Sequence, residues 1–207
     1  MPRDATATRE SLVRAAAQLF ADKGIDATRS RDILVAAGQA NDSAIGYHFG
    51  SRQGLLEAIL DRHIERMERA RAADLPRLEA ADLVTLVDAL VRPTAEELLT
   101  PDGRRFLRII VQLSGRAGVR SHRVPAPLRG TALARQLDLL EAALDPDLPQ
   151  EVRRERVASV ILLLTATLAD RAGRIDRRSR LTLDHEAWVT NLVAMCAGAL
   201  QAPLLSG

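Results

Sequence analysis

The spacing of apolar positions predicts helices from end to end. Leu12, Ala15, Ala16, Leu19 and Phe20 recur at the intervals of one helical face, with Lys23 in the closing turn and Gly24 as the stop. A second, short helix is predicted over about 31–37, with Thr28 or Ser30 as its N-cap, Ile33, Ala36 and Ala37 as its apolar side and Gly38 at its end. The polar turn QAND follows, in which Asn41 or Asp42 caps a third helix that runs to Phe49 and closes at Gly50. Ser51 caps a fourth, whose apolar face is Leu56, Ile59, Leu60, His63, Ile64 and Met67, with a solvated Glu65–Arg69 pair on the other side.

Beyond Asp74-Leu75-Pro76 the predicted helices lengthen. They cover about 79–99, kinked or divided at Pro93, then 102–117, 128–144, 149–172 and 184–201. Residues 117–127, with a glycine and two prolines, read as a loop carrying Arg120, His122 and Arg123. No strand pattern and no internal repeat interrupts the series, so the expected class is all-α. The stretch VASVILLLTATLA, residues 157–169, is apolar nearly all round but too short to cross a bilayer, and it reads as a buried helix needing cover on several sides.

Composition narrows the picture. Aromatic residues are only 2% of the 207, so the core rests on Ala, Leu, Val and Ile, which suits helices better than sheets. The formal charge is +2, and residues 1–50 hold six basic and six acidic side chains. Any affinity for nucleic acid must therefore come from where the arginines stand, not from overall charge. The one cysteine, Cys196, sits on an apolar helix and reads as buried; it excludes an intrachain disulfide and a multi-thiolate metal site. With no apolar leader in MPRDATATRE, the expected compartment is the cytoplasm. A Walker A loop, a GxSxG elbow, an HExxH helix and paired-cysteine zinc spacing are all missing, and the four histidines are scattered, so neither an enzyme, a metal nor a cofactor is expected.

Two short helices separated by a tight turn, inside a bundle of four, have the form of a three-helix DNA-binding head followed by a connecting helix. Here the chain resembles the tetracycline-repressor family. The resemblance is carried by RESLVRAAAQLFADKGIDATRSRDILVAAG (9–38), by AIGYHFGSRQGLLEAIL (44–60) and by the polar turn between them. It implies a helix-turn-helix DNA-binding domain over 8–67, with its recognition motif at about 30–49, and a helical bundle for ligand binding and dimerisation over 75–203. The reading helix would be 42–48. Base contacts would come from Gln39, Ala40, Asn41, Asp42, Ser43 and Gly46, since Asn and Gln can pair with adenine and Asp can accept from cytosine. Glycine at 46 lets the backbone approach closely. Arg29, Ser30 and Arg31 at the start of the second helix would lie against phosphates, as would Tyr47 and Arg52; His48 either joins them or packs against the first helix. The turn holds one residue more than the commonest family spacing, so positions 39–43 can slip by one.

The resemblance also implies regulation. Helices near 151–171 and 184–201 would pair across a two-fold axis, giving a homodimer whose reading helices sit about 34–36 Å apart on an inverted-repeat operator in double-stranded DNA. A small, largely apolar effector would bind among the helices of 79–144 and the inner face of 149–172, releasing the DNA as a repressor does. No membrane partner is expected. The competing reading is a helical small-molecule-binding protein without specific DNA binding, which would have no need of the arginines at 29, 31 and 52.

Overall fold

The computed structural model describes residues 2–114 and 130–204. Among them every regular element is helical: α1 (Pro2–Lys23), α2 (Ser30–Ala36), α3 (Ala44–Phe49), α4 (Arg52–Leu78), α5 (Leu83–Ala95), a 3₁₀ turn (Glu96–Leu99), α6 (Pro101–Ser114), α7 (Ala132–Ala142), α8 (Gln150–Asp176) and α9 (His185–Leu200). The expected loop with Arg120, His122 and Arg123 lies outside the described residues.

Side chains of Ser51, Asp82, Thr131 and Asp184 accept a backbone N–H from the first turn of α4, α5, α7 and α9, respectively. At the other ends, Gly24 and Gly38 take positive φ, as the predicted stops require. After α2, Gln39 N–H donates to the Leu34 carbonyl at 2.9 Å and Gly38 N–H to Val35 at 3.1 Å, closing the helix in a Schellman turn. Arg178 makes the equivalent closure after α8 at φ 54°, although it carries a Cβ.

Three sequence expectations need correction. Thr28 is no cap: it is buried, and its hydroxyl donates to the carbonyls of Gly24 and Leu19, fastening the α1–α2 turn to α1. The residue before α2 is Arg29, whose N–H donates to Asp32 at 3.3 Å. Pro76 does not end a helix, since α4 continues to Leu78 and the next helix starts at Leu83, not near 79. Proline removes a single backbone bond in that last turn, and the fully buried Leu78 holds the turn on the core.

One apolar core runs from Leu12 in α1 to Leu200 in α9. Phe20, Ile33, Ile45, Leu55 and Ile59 fill its N-terminal part, and Leu86, Leu90, Phe106, Leu140, Leu164, Leu168 and Leu192 its C-terminal part. His63 is a satisfied core histidine: its Nδ1 lies 2.7 Å from Glu97 and its ring stacks on Phe106. Cys196 is buried, and desolvation pushes its thiol pKa up to about 11, which leaves it unreactive. No described helix is long and apolar enough to cross a membrane.

Candidate nucleic-acid interface

The sequence makes α3 a shallow helix resting on two buried side chains. Ala44 and Ile45 point into the core, whereas Asn41, Asp42, Ser43, Gly46 and Tyr47 are exposed. Tyr47 is 82% exposed, a large ring with nothing to hold it down except the edge of His48, 4.9 Å away. His48 is half-buried and stands between Tyr47 and Phe49, so it serves the packing of α3 as well as its surface.

The turn before α3 is held by Asn41. Asn41 Oδ1 accepts the Ser43 N–H at 2.9 Å and its carbonyl accepts the Ala44 N–H at 3.1 Å, an Asx turn that positions the first residues of the helix. Asn41 therefore organises the turn, and Ser43 stands at the N-cap position expected of Asn41 or Asp42. Gln39 is half-buried with its amide on the Ala37 carbonyl, while Ala40 is exposed. Ser11 on α1 ties the same Ala37 carbonyl down at 3.0 Å. Arg29, Ser30 and Arg31, at the start of α2, are exposed.

Arg52 departs from the expected outward arm. Its guanidinium turns inward, donating to the Ile25 carbonyl and, at 3.0 Å, to the Thr28 carbonyl, while lying 5.1 Å over the Phe20 ring. It acts as a strut between the start of α4 and the α1–α2 turn, and the sequence could not show this because its partners are backbone carbonyls.

Two positions escaped the sequence reading. A Cβ on Gly54 would come within 2.2 Å of the Phe49 carbonyl, so this glycine lets α4 start directly against the end of α3. A glycine inside the first turn of a helix was the available signal. The other is Gln112 on α6, whose Oε1 accepts the Ile25 N–H at 2.8 Å and whose Nε2 donates to the Phe20 carbonyl at 3.0 Å. Beside it Arg108 donates to the Ala21 carbonyl at 2.9 Å and pairs with Asp22. These contacts join the end of α1 to α6.

A buried ion pair adds a second tie. Glu97 receives His63 and Arg66 from α4. Burial opposes its ionisation, but the hydrogen bonds and charges of those two partners prevail and hold its pKa below the usual carboxylate range. Gly103 makes room for this arrangement, since a Cβ there would meet the Glu97 carbonyl at 2.2 Å.

Comparison with known proteins decides what this head is. The model of the bacterial regulatory proteins of the tetR family matches residues 12–59, and that of the tetracyclin repressor-like C-terminal domain matches residues 88–199. The chain belongs to the tetR family. It is thus an all-α, helix-turn-helix transcriptional regulator, a DNA-binding protein and not an enzyme. A search among curated proteins finds no match.

Solved structures share the fold at low identity. The ketosteroid transcriptional regulator KstR2 of Mycobacterium tuberculosis is 16% identical with a TM-score of 0.60, over 94% of this chain and 95% of that one. NalD, the secondary repressor of the MexAB-OprM multidrug efflux pump in Pseudomonas aeruginosa, is 21% identical with a TM-score of 0.56, over 98% and 100%. The TetR family protein CprB from S. coelicolor A3(2) is 21% identical with a TM-score of 0.52, over 94% and 98%.

Proposed function

We propose that this tetR-family regulator is a homodimeric repressor that reads an inverted-repeat operator with α3 and releases it when a small effector binds. Residues 8–67 form the reading head and residues 75–203 the sensing and dimerising body. The observation that carries the reading is the exposure of Tyr47 beside Asp42, Ser43 and Gly46, on a helix anchored from beneath by Ala44 and Ile45. Base edges are met by Ala40, Asp42, Ser43 and the backbone at Gly46, with Gln39 and Asn41 shaping the turn. Arg29, Ser30, Arg31, Tyr47 and His48 meet phosphates. Arg52 supports them from behind.

The dimer rests on α8 and α9. On α9 the exposed side chains are largely small or apolar, among them Ala187, Ala194, Met195, Gly198 and Ala199, with Met195 49% exposed. A groove beside them is lined by Val152, Ser159, Val160 and Leu163 of α8 and Ala199 of α9, with the charged Glu151, Glu155 and Arg156 at its rim. Two antiparallel copies of this pair bury both faces as a four-helix bundle. A second groove, near Leu83, Leu144 and Leu204, lies at the end of the bundle, bordered by residues of both 79–144 and 149–172, the helices among which the effector is expected.

The test is a gel-shift titration against the DNA flanking the protein's own gene, at several salt concentrations, with the oligomer measured in parallel by sedimentation. Specific binding by a dimer, weakening steeply with salt, is the expected result. Arg31→Ala should weaken binding and lower the log–log salt slope by about 1, leaving the dimer intact. Unchanged affinity in both Arg31→Ala and Tyr47→Ala would refute the contact assignment.

A further inference from the structure

The body contains a polar cluster that the fold itself leaves unsatisfied. Gln136 on α7 is fully buried, and neither its Oε1 nor its Nε2 has a hydrogen-bond partner. Arg71 on α4 is also buried; its Nη2 donates to Thr94 on α5 at 3.2 Å, its Nη1 is 3.8 Å from Glu68, and its Nε has no partner. The Glu68 charge offsets part of the burial of that cation but does not fill its open hydrogen-bonding positions, since the carboxylate stands 3.8 Å away and accepts the N–H groups of Ala132 at 2.7 Å and Leu133 at 3.2 Å at the start of α7. Desolvation lowers the Arg71 pKa, as expected of a guanidinium held in apolar surroundings with too few acceptors.

α4 packs on α7, and the two groups stand at matching positions along that contact. α4 and α7 leave the Glu68–Ala132 contact in the same direction, since Arg135 further along α7 comes within 3.7 Å of Glu79 just beyond α4. Arg71 is one turn past Glu68, and Gln136 one turn past Ala132. Thr94 brings α5 to the same place. An amide and a guanidinium buried with unmet hydrogen-bonding capacity cost folding free energy, and a ligand that supplied the missing partners would recover it.

We infer that Arg71 and Gln136 form the anchor of the effector site, and that the effector is an apolar carboxylic acid. This rests on the regulatory reading above and gives the largely apolar effector an anionic end. The carboxylate accepts from Arg71 Nε and Gln136 Nε2, and the hydrocarbon body lies among the Leu and Val side chains of α4, α5 and α7. A hydroxyl on the ligand would also satisfy Gln136 Oε1. Because Arg71 is on the helix whose first turn adjoins α3, a ligand that draws Arg71 toward α7 acts directly on the element that sets the reading head.

The experiment is direct calorimetric binding to the full-length protein without DNA. The probes are decanoate, cyclohexanecarboxylate and phenylacetate, each with its matched alcohol. At least one acid should bind about tenfold or more tightly than its alcohol, as a charged hydrogen-bond pair requires. Arg71→Met should abolish that preference. Gln136→Leu should weaken the acid about tenfold while raising the melting temperature of the ligand-free protein, because it removes an unpaired buried amide. The inference is overturned if no acid is preferred over its alcohol, or if Gln136→Leu lowers ligand-free stability and leaves acid binding unchanged. Operator binding by the ligand-free variants is measured separately. Its loss in the wild type would sink the regulatory reading, whereas its retention without acid binding would sink only this one.

Discussion

Gly46→Ala should make this protein more stable and a worse DNA binder. The substitution falls in the middle of α3, a helix of six residues, where the Gly46 carbonyl accepts the Gly50 N–H at 2.9 Å. A Cβ built on Gly46 meets nothing within 4 Å, and its φ is not among the positive ones, so alanine fits without strain or clash. Helix propensity then favours alanine by about 1 kcal/mol. For a chain of this size that corresponds to a rise in melting temperature of about 2–4 °C. The open space that makes the change harmless to the fold is the surface we assign to the DNA groove. There a methyl group holds the backbone away from base edges, at a cost on the order of 1–3 kcal/mol, comparable to a mismatched base pair. Scanning calorimetry and fluorescence anisotropy on a labelled operator give the two numbers. If the variant is stabilised and binds the operator as tightly as the wild type, α3 does not approach DNA through Gly46 and the orientation of the head is wrong.

Three other variants probe the ties between head and body and the end of α8. Glu97→Gln should destabilise the fold by about 1.5–3 kcal/mol at neutral pH, because it removes the charge that His63 and Arg66 share. Since the folded-state pKa of Glu97 is depressed, that contribution is complete above the unfolded value of about 4.3 and fades as pH falls through the folded value. Urea midpoints of wild type and variant should therefore converge in acid; a gap that stays constant would mean that Glu97 ionisation is not what matters. Arg178→Gly relieves a left-handed residue after α8 and should add about 0.5–1 kcal/mol, read as a higher urea midpoint; a lower one would show that the Arg178 side chain contributes more than its backbone costs. Gln112→Leu leaves the Ile25 N–H without its partner and should cost about 1–3 kcal/mol. In that variant the effector should still bind but release the operator less completely, a difference visible in gel shifts with and without ligand.

The sequence made the head legible because its signals are local. The apolar spacing of α1, the stops at Gly24 and Gly38 and the Ser51 cap depend only on neighbours in the chain, and each stands where the spacing put it. Long α8 and α9 were equally visible, since a helix apolar nearly all round has one reading. What failed was whatever depends on a distant partner. Thr28 has the side chain of a cap but donates backward to Gly24 and Leu19, and Arg52 has the charge of a phosphate contact but is spent on two carbonyls. Backbone carbonyls occur at every residue, so no pattern reveals which one an arginine will choose. How far α4 continues past Pro76 was not legible either, because a proline penalty is fixed while the anchoring of the next turn by Leu78 is tertiary. Gln136 did leave a trace: it takes a core position in the spacing of Leu133, Leu137 and Leu140, where a leucine would serve packing better.

These same distant contacts explain how the body can act on the reading helix. The Gly24 turn is gripped from both sides: Gln112 and Arg108 of α6 hold Phe20, Ala21 and Ile25, and Arg52 of α4 holds Ile25 and Thr28. α4 in turn is fixed to the 3₁₀ turn before α6 through Glu97, and to α5 and α7 through Arg71 and Glu68. The helix that ends in the anchor cluster is thus the helix that begins against α3, and both of its ends carry arginines bound to other elements. A sliding of α4 along its axis cannot leave all of these contacts intact. It must either carry the α1–α2 turn with it, reorienting α2 and α3 together, or break the Arg52 strut and loosen the seat on which α3 rests. In the homodimer we propose, either route would change the distance between the two copies of α3, and with it the fit to an inverted-repeat operator.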